Sequence, residues 1–205
     1  MNAEAGGSTV MASPLIDKAA AGQIRLRHWA DGDAEDIARL LQDKTLRCCL
    51  PGAPSACTAA YAARLITEAA NQWRAGRAIS LAVCDANHDH LLGEVFLNLV
   101  SREIGIWLGA EHWRCGHGQS AVQALLRFAQ LGLGVRTAHA LIRRDNLPSR
   151  GLFEKCGFVF AGLQPGAVDQ GSVPSLKYLW RATAGSCHIQ TVDAHEVLVH
   201  HVHHD

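Results

Sequence analysis

The stretch REIGIWLGAEHWRCGHGQSAVQALLRFAQL, Arg102 to Leu131, decides the fold. Its start, Ile104 to Leu108, reads as a short strand. Its end reads as an amphipathic helix, with Val122, Leu125, Leu126 and Ala129 at i, i+3, i+4 and i+7. Between them lies a polar, glycine-bearing turn, Trp113-Arg114-Cys115-Gly116-His117-Gly118-Gln119. A glycine turn that opens a helix leaves backbone N–H groups unpaired at the positive end of the helix dipole. Such an end suits a phosphate or pyrophosphate. A dinucleotide-binding fingerprint needs a third glycine and an acidic residue about 20 positions on. Gly116 and Gly118 stand here without the third, so that reading is set aside. A glycine turn with a purely structural role is the remaining alternative.

Working outward, Gln23 to Trp29 alternates Ile24, Leu26 and His28 with Arg25 and Arg27, as a strand does. Asp31-Gly-Asp33 supplies turn and N-cap residues for a helix whose apolar face is Ile37, Leu40 and Leu41. Cys48 to Ser55, with Pro51, Gly52 and Pro54, reads as a loop. A longer helix is expected from about Thr58 to Ala75, with Ala62, Leu65, Ile66 and Ala69 on one face and Gly76 as its stop. These early helices would flank a substrate entrance. Ile79–Asp85 and Leu91–Val100, joined by the polar turn Ala86–His90, form a hairpin. With Ile104–Leu108 they make an antiparallel meander. Gly132 and Gly134 end the central helix. Ala138–Ile142 is a strand that returns beside the first of its unit, as a right-handed crossover requires. Arg143 to Arg150 is a polar turn capping a short helix, Ser149–Cys156. Gly157-Phe158 opens a strand to about Ala161, and Leu176–Arg181 is the last. The sum is a mixed α/β domain over residues 23–181, with about seven strands and about four helices.

At 205 residues the chain suits one domain that buries its own core. Hydrophobic residues make up 48% and charged residues 19%, and the formal net charge of zero gives no pull toward nucleic acid or an anionic membrane. No apolar run approaches the roughly 20 residues that cross a bilayer. Residues 1–22, rich in Ala, Gly and Ser, read as a flexible leader and not as a signal peptide. The seven cysteines contain no C-x-x-C pair, which favours reduced thiols and a cytoplasmic location. Six of the twelve histidines fall within the last eighteen residues, in the tail 182–205. No Cys or carboxylate spacing accompanies them. The tail is therefore expected to be disordered, or an edge strand or partner contact around Glu196–Val202, in preference to a metal site.

Two motifs together resemble one family. Trp113-x-x-Gly116-x-Gly118 follows one strand, and Asn146-x-x-Ser149-x-x-x-Phe153-Glu154-Lys155-Cys156-Gly157-Phe158 follows the next. Both are similar to motifs of the GNAT acyl-CoA N-acyltransferases, and within them to the RimJ/RimL type, which acetylate protein N-termini. The resemblance runs from about Gln23 to Arg181 in the order and kind of elements. It implies the GNAT fold, a mostly antiparallel mixed sheet with a central V-shaped splay between Ile104–Leu108 and Ala138–Ile142. It implies acetyl-CoA as co-substrate and no metal. The amides of Arg114, Cys115, Gly116, His117, Gly118 and Gln119 would hold the pyrophosphate, with Trp113 and Ser120 at the ends of the loop. Ile106, Trp107 and Leu108 would line the pantetheine, Asn146 would bond near it, and Ser149 would face the thiol end. Many members carry a tyrosine proton donor where this chain has Phe153, so Phe153 can only pack and Ser149 is the nearest remaining donor. Ser120 replaces a usual Glu, and Arg114 a frequent Gly.

A protonated amine must lose a proton before it attacks a thioester, and a carboxylate is the usual base. Glu103, at the entry to the strand, is the first choice, Glu94 the second and Glu111 the third. A backbone N–H near Trp107 or Leu108 is expected to stabilise the oxyanion. The expected activity is direct acetyl transfer to a primary amine. A protein or peptide N-terminus is preferred over a small amine such as an antibiotic amino group, and a non-catalytic acyl-CoA-binding module is the alternative class. Ser149 also reads as a plain helix cap, and Cys115 and His117 as loop filler. A homodimer is left open. The acceptor surface, drawn from the early helices and residues 163–174, carries no motif.

Overall fold

The computed structural model describes residues 23–50, 56–164 and 174–183. The leader 1–22 and the histidine-rich segment from 184 onward lie outside the described residues. Four strands form one antiparallel sheet in chain order: β1 (Ile24–Arg27), β2 (Ala78–Asp85), β3 (Leu91–Asn98) and β4 (Ile104–Leu108). A second antiparallel sheet has the order β5-β7-β6, from β5 (Thr137–Arg143), β6 (Val159–Gln164) and β7 (Ser175–Arg181). The two sheets meet at a parallel bridge between Glu103 and His139.

The period-2 alternation in the strands sorts the side chains into two layers. Ile24, Leu26, Ile79, Leu81, Val83, Val95, Leu97, Ile104 and Leu108 face one way. They meet Val122, Leu125, Leu126 and Ala129 of α4 (His117–Leu133), the face its helical spacing predicts. Fully burying one such aliphatic side chain is worth about 1.5–3 kcal/mol. Gly134, at φ +65°, ends the helix in the left-handed cap that glycine accepts. On the opposite face lie α1 (Asp33–Leu40), α2 (Lys44–Cys49) and α3 (Ala59–Arg74). There Ala34, Ile37, Leu40, Leu46, Ala62 and Ile66 pack on Ala82, Cys84 and Leu91, with Trp29, Tyr61 and Trp107 half-buried at the margin. The last helix, α5 (Leu147–Lys155), packs against α4 and β5.

Several local expectations are corrected. Asp33 does not cap α1: Gly32 is the N-cap, and Asp33 is 5% exposed with its carboxylate on the Arg27 guanidinium at 2.7 and 2.8 Å and on the Ala30 N–H at 2.8 Å. That pairing holds the Arg27 guanidinium protonated well above its ordinary range, the hydrogen bond to Asp33 being the main cause. Lys44–Cys49 is helical, with Asp43 accepting from the Leu46 N–H at 2.9 Å, so Cys48 and Cys49 end a helix where the loop Cys48–Ser55 is expected to begin. Residues 51–55 lie outside the described residues. Leu65 is exposed and α3 packs through Ala62 and Ile66. Among the described residues there are five α-helices, against the about four expected.

Candidate active site

β4 runs through Gly109 and a short 3-10 turn, Ala110–His112, into the glycine loop. Arg114 and Gly116 both take left-handed backbone, φ +63° and +83°. A Cβ on Gly116 would meet nothing within 4 Å, so its glycine serves the dihedral and not a tight space. As the N-cap of α4 it also offers no side chain to the first turn. Among the described residues the backbone N–H groups of Arg114 to Gln119 therefore donate to no protein acceptor, and Ser120 is the first to bond, to the Gly116 carbonyl at 3.1 Å. Trp113 ties the loop back to the strand, its indole N–H donating to the Leu108 carbonyl at 2.7 Å. Cys115 is exposed, with Sγ 3.4 Å from the Trp113 carbonyl, and His117 is half-buried in the first turn. Gly118 marks a close approach: a Cβ there would lie 2.5 Å from Cδ1 of Leu152 on α5. Gln119 is held in the same contact, its carbonyl 3.8 Å from Sγ of Cys156.

The strand register shows where β4 offers free backbone. The Asn98 N–H donates to Glu103 and the Gly109 N–H to Leu92. Antiparallel pairs alternate between bonded and non-bonded, so Glu103, Gly105, Trp107 and Gly109 exchange bonds with β3. Ile104, Ile106 and Leu108 then direct their N–H groups to the β5 side. On β5 the bonds at Arg136–Ala182 and Arg144–Pro174 place Ala138, Ala140 and Ile142 toward β7, and His139 and Leu141 toward β4. The Glu103–His139 bridge closes one end of this gap, and no ladder joins β4 and β5 beyond it. On the loop side of the bridge the N–H groups of Ile106 and Leu108 stand on one wall of this gap and the Leu141 backbone on the other. The Trp107 N–H, the other expected oxyanion donor, is spent on β3. The sequence reading names the strand Ala138–Ile142 as this wall without singling out Leu141, whose backbone the alternation along β5 turns toward β4.

Asn146 is the N-cap of α5, its Oδ1 accepting from the Ser149 N–H at 3.1 Å. The cap is thus Asn146 and not Ser149, and the helix begins at Leu147. This bond fixes the Asn146 side chain with its NH2 left over as a donor. Ser149 is half-buried in the first turn of α5. Phe153 is buried, edge-on to Phe158 with ring centroids 5.0 Å apart.

The three expected carboxylates are far apart in character. Glu94 on β3 sits beside Trp107 across the strand pair and faces the α1–α3 layer. Its Oε2 accepts from the Trp107 indole N–H and its Oε1 from the Ser80 hydroxyl, both at 2.6 Å. Burial pushes the Glu94 carboxyl above the ordinary carboxylate range, against the pull of those two donors. Glu103 lies at the closed end of the gap, half-buried, where its charge acts on His139. Four residues along the strand separate it from Trp107, about 13 Å. Glu111 is exposed in an ion pair with Arg39 at 3.3 Å.

The chain belongs to the GNAT acetyltransferases: the sequence profile of the acetyltransferase (GNAT) domain matches residues 23–159. Solved structures share the fold at low identity. The microcin C7 self-immunity acetyltransferase MccE, in complex with acetyl-CoA and AMP, superposes with a TM-score of 0.73 at 18% identity, over 83% of this chain and 98% of that one. RimJ of Mycobacterium smegmatis, in complex with CoA-disulfide, gives 0.69 at 20%, over 78% and 82%. The ribosomal-protein-S5-alanine acetyltransferase of Vibrio fischeri gives 0.69 at 16%, over 79% and 94%. No curated protein matches the sequence. The activity is acetyl-CoA-dependent acetyl transfer. Among the described residues no group of three His, Cys, Asp or Glu side chains could hold a metal, and no helix is long and apolar enough to cross a membrane.

Proposed function

We propose that this chain transfers an acetyl group from acetyl-CoA directly to a primary amine, with a protein or peptide N-terminus as the preferred acceptor. One observation carries the reading: a half-buried, hydrogen-bonded carboxylate, Glu94, stands one strand away from the open N–H groups of Ile106 and Leu108. The free amides of Arg114–Gln119 fit a pyrophosphate, and the unpaired edges of β4 and β5 fit the amides of a pantetheine arm laid between them. Trp113 and Ser120 bound the loop, while Asn146 and Phe153 shape the α5 wall. Acetyl-CoA supplies a thioester carbonyl that a neutral amine can attack. In this reading Glu94 takes a proton from the incoming ammonium, and its raised affinity for protons suits that task. The N–H of Ile106 or Leu108 donates to the carbonyl oxygen as the C–N bond forms and the C–S bond breaks. Ser149 is the candidate donor of a proton to the departing thiolate, and the second proton that the attacking nitrogen loses restores its hydroxyl. Glu94 thus moves ahead of Glu103, which lies too far toward the closed end.

The likeness to RimJ and to the S5-alanine enzyme supports an N-terminal acceptor. The likeness to MccE supports the second reading, a small-molecule amine. The free thiols of the described cysteines are consistent with a cytoplasmic setting. The test is thiol release from acetyl-CoA across peptides with different first residues and a panel of small amines, with mass spectrometry of the products. Turnover on peptides at their α-amine is the expected result. Turnover confined to small amines selects the second reading, and cofactor binding without release on any acceptor sinks both.

A further inference from the structure

The Glu94 carboxylate is one end of a longer chain. The Trp29 indole N–H donates to the Ser80 hydroxyl oxygen at 2.8 Å, Ser80 donates to Glu94 Oε1 at 2.6 Å, and Trp107 donates to Oε2 at 2.6 Å. An indole N–H can only donate, so Oε2 must accept from Trp107, while a serine hydroxyl has one proton and two lone pairs. Trp29 fills one Ser80 lone pair and the Ser80 proton points to Oε1. With a donor on each carboxylate oxygen the anion is the favoured form, and a proton taken up by Glu94 requires Ser80 to turn its hydroxyl and accept. We propose that Trp29, Ser80 and Trp107 are positioning residues that favour the anionic form of Glu94 and fix its carboxylate between β2 and β4 on the face that the early helices cover. The assignment rests on the reading of Glu94 as the base.

Among the charged side chains on the elements packed around Glu94, Arg27 is paired with Asp33 and Asp89, and Arg39 with Asp36 and Glu111. Cys84, on the same face of β2, is a buried thiol whose burial pushes it up to about 12, so it stays neutral. Glu103 is the remaining carboxylate on that face of β4 and lies at the far end of the strand. Glu94 responds to burial and to Ser80 and Trp107, with no charged neighbour contributing. The two donors are thus what opposes burial at this carboxylate. The three donors come from three separate places, the segment after β1, β2 and β4, so the chain also ties the carboxylate to three elements at once.

The test follows the titration of Glu94 directly, by infrared difference spectroscopy of the full chain against pH, the Glu94 band being assigned by its loss in Glu94→Gln. Ser80→Ala is expected to move the midpoint up by on the order of one pH unit. Trp107→Phe should move it in the same direction and Trp29→Phe less far, while Ser80→Thr, which keeps the hydroxyl, restores the wild-type value. The acid limb of kcat/KM on the best amine acceptor should shift by the same amount in Ser80→Ala. Residues with only a packing role would lower stability or rate evenly across pH and leave the midpoint in place. An unchanged midpoint in both Ser80→Ala and Trp107→Phe overturns the proposal. An acid limb that survives in Glu94→Gln overturns the base reading instead, and the infrared midpoint still tells the two failures apart.

Discussion

At the scale of single residues, the fold treats its acidic groups in opposite ways, and stability measurements should show it. Glu94 is raised by burial, so the native state holds its proton more tightly than the unfolded chain does. Its contribution to stability is then largest below the unfolded carboxylate range and declines as pH rises through the raised native value. Glu94→Gln should flatten that decline in urea unfolding at stepped pH, while reducing kcat/KM by about 10²–10⁴-fold. Glu103→Gln, at the closed end of the gap, should leave both profiles close to wild type. Asp33 is the opposite case, a buried carboxylate in a two-point pair with Arg27. Removing Asp33 leaves the Arg27 guanidinium with Asp89 at 3.2 Å as its remaining ion pair, so Asp33→Ala should cost about 2 kcal/mol, read as a lower urea midpoint at constant slope.

At the scale of elements, the N-terminus of α4 is made by backbone and not by side chains, and its variants should reflect that. Gly116→Val puts a β-branched residue at φ +83°, so it should destabilise the fold by at least about 1 kcal/mol and weaken coenzyme A binding tenfold or more, measured by calorimetry. Arg114→Gly relieves the same left-handed strain at φ +63° and should raise stability by about 1 kcal/mol. This loop was legible in the sequence because its glycines, its strand and its helical period lie within one continuous stretch. The second motif was legible for the same reason, although the cap fell on Asn146 and not on Ser149: the side chain three residues before an N–H reaches it, which type and spacing alone leave open between the two. What escaped was fixed by distant partners. Asp33 has the look of a cap until Arg27 claims it, and Leu65 the look of a core residue until α3 turns it outward. Lys44–Cys49 carries no apolar period long enough to announce a helix. Glu94 ranks second in the sequence because nothing near it along the chain reveals that Ser80 and Trp107 donate to its carboxylate, with Trp29 behind Ser80.

At the scale of the whole molecule, two half-sheets share one short parallel bridge, and the ligand reading makes the donor the missing strand between them. Residue-resolved hydrogen exchange can test this, because the register divides β4 by parity. Trp107 and Gly105 are bonded to β3 and should be protected with or without ligand. Ile106 and Leu108 face the gap and should exchange faster in the free protein, then slow on addition of coenzyme A. Leu141 should follow them on β5, while Ala140 and Ile142, bonded to β7, should not change. Uniform slowing along both strands would mean general tightening of the fold and not insertion of a ligand into the gap. The same wedge should appear in thermal unfolding. A ligand at about 100 times its dissociation constant adds about 2.7 kcal/mol to the native state, which in a chain of this size corresponds to a rise in Tm of roughly 5–10 °C. Gly116→Val should lose most of that rise while keeping the parity of protection in the free protein, since its loop holds the phosphate end and the strands are paired without it. A rise of full size in Gly116→Val would place the pyrophosphate somewhere other than the N-terminus of α4.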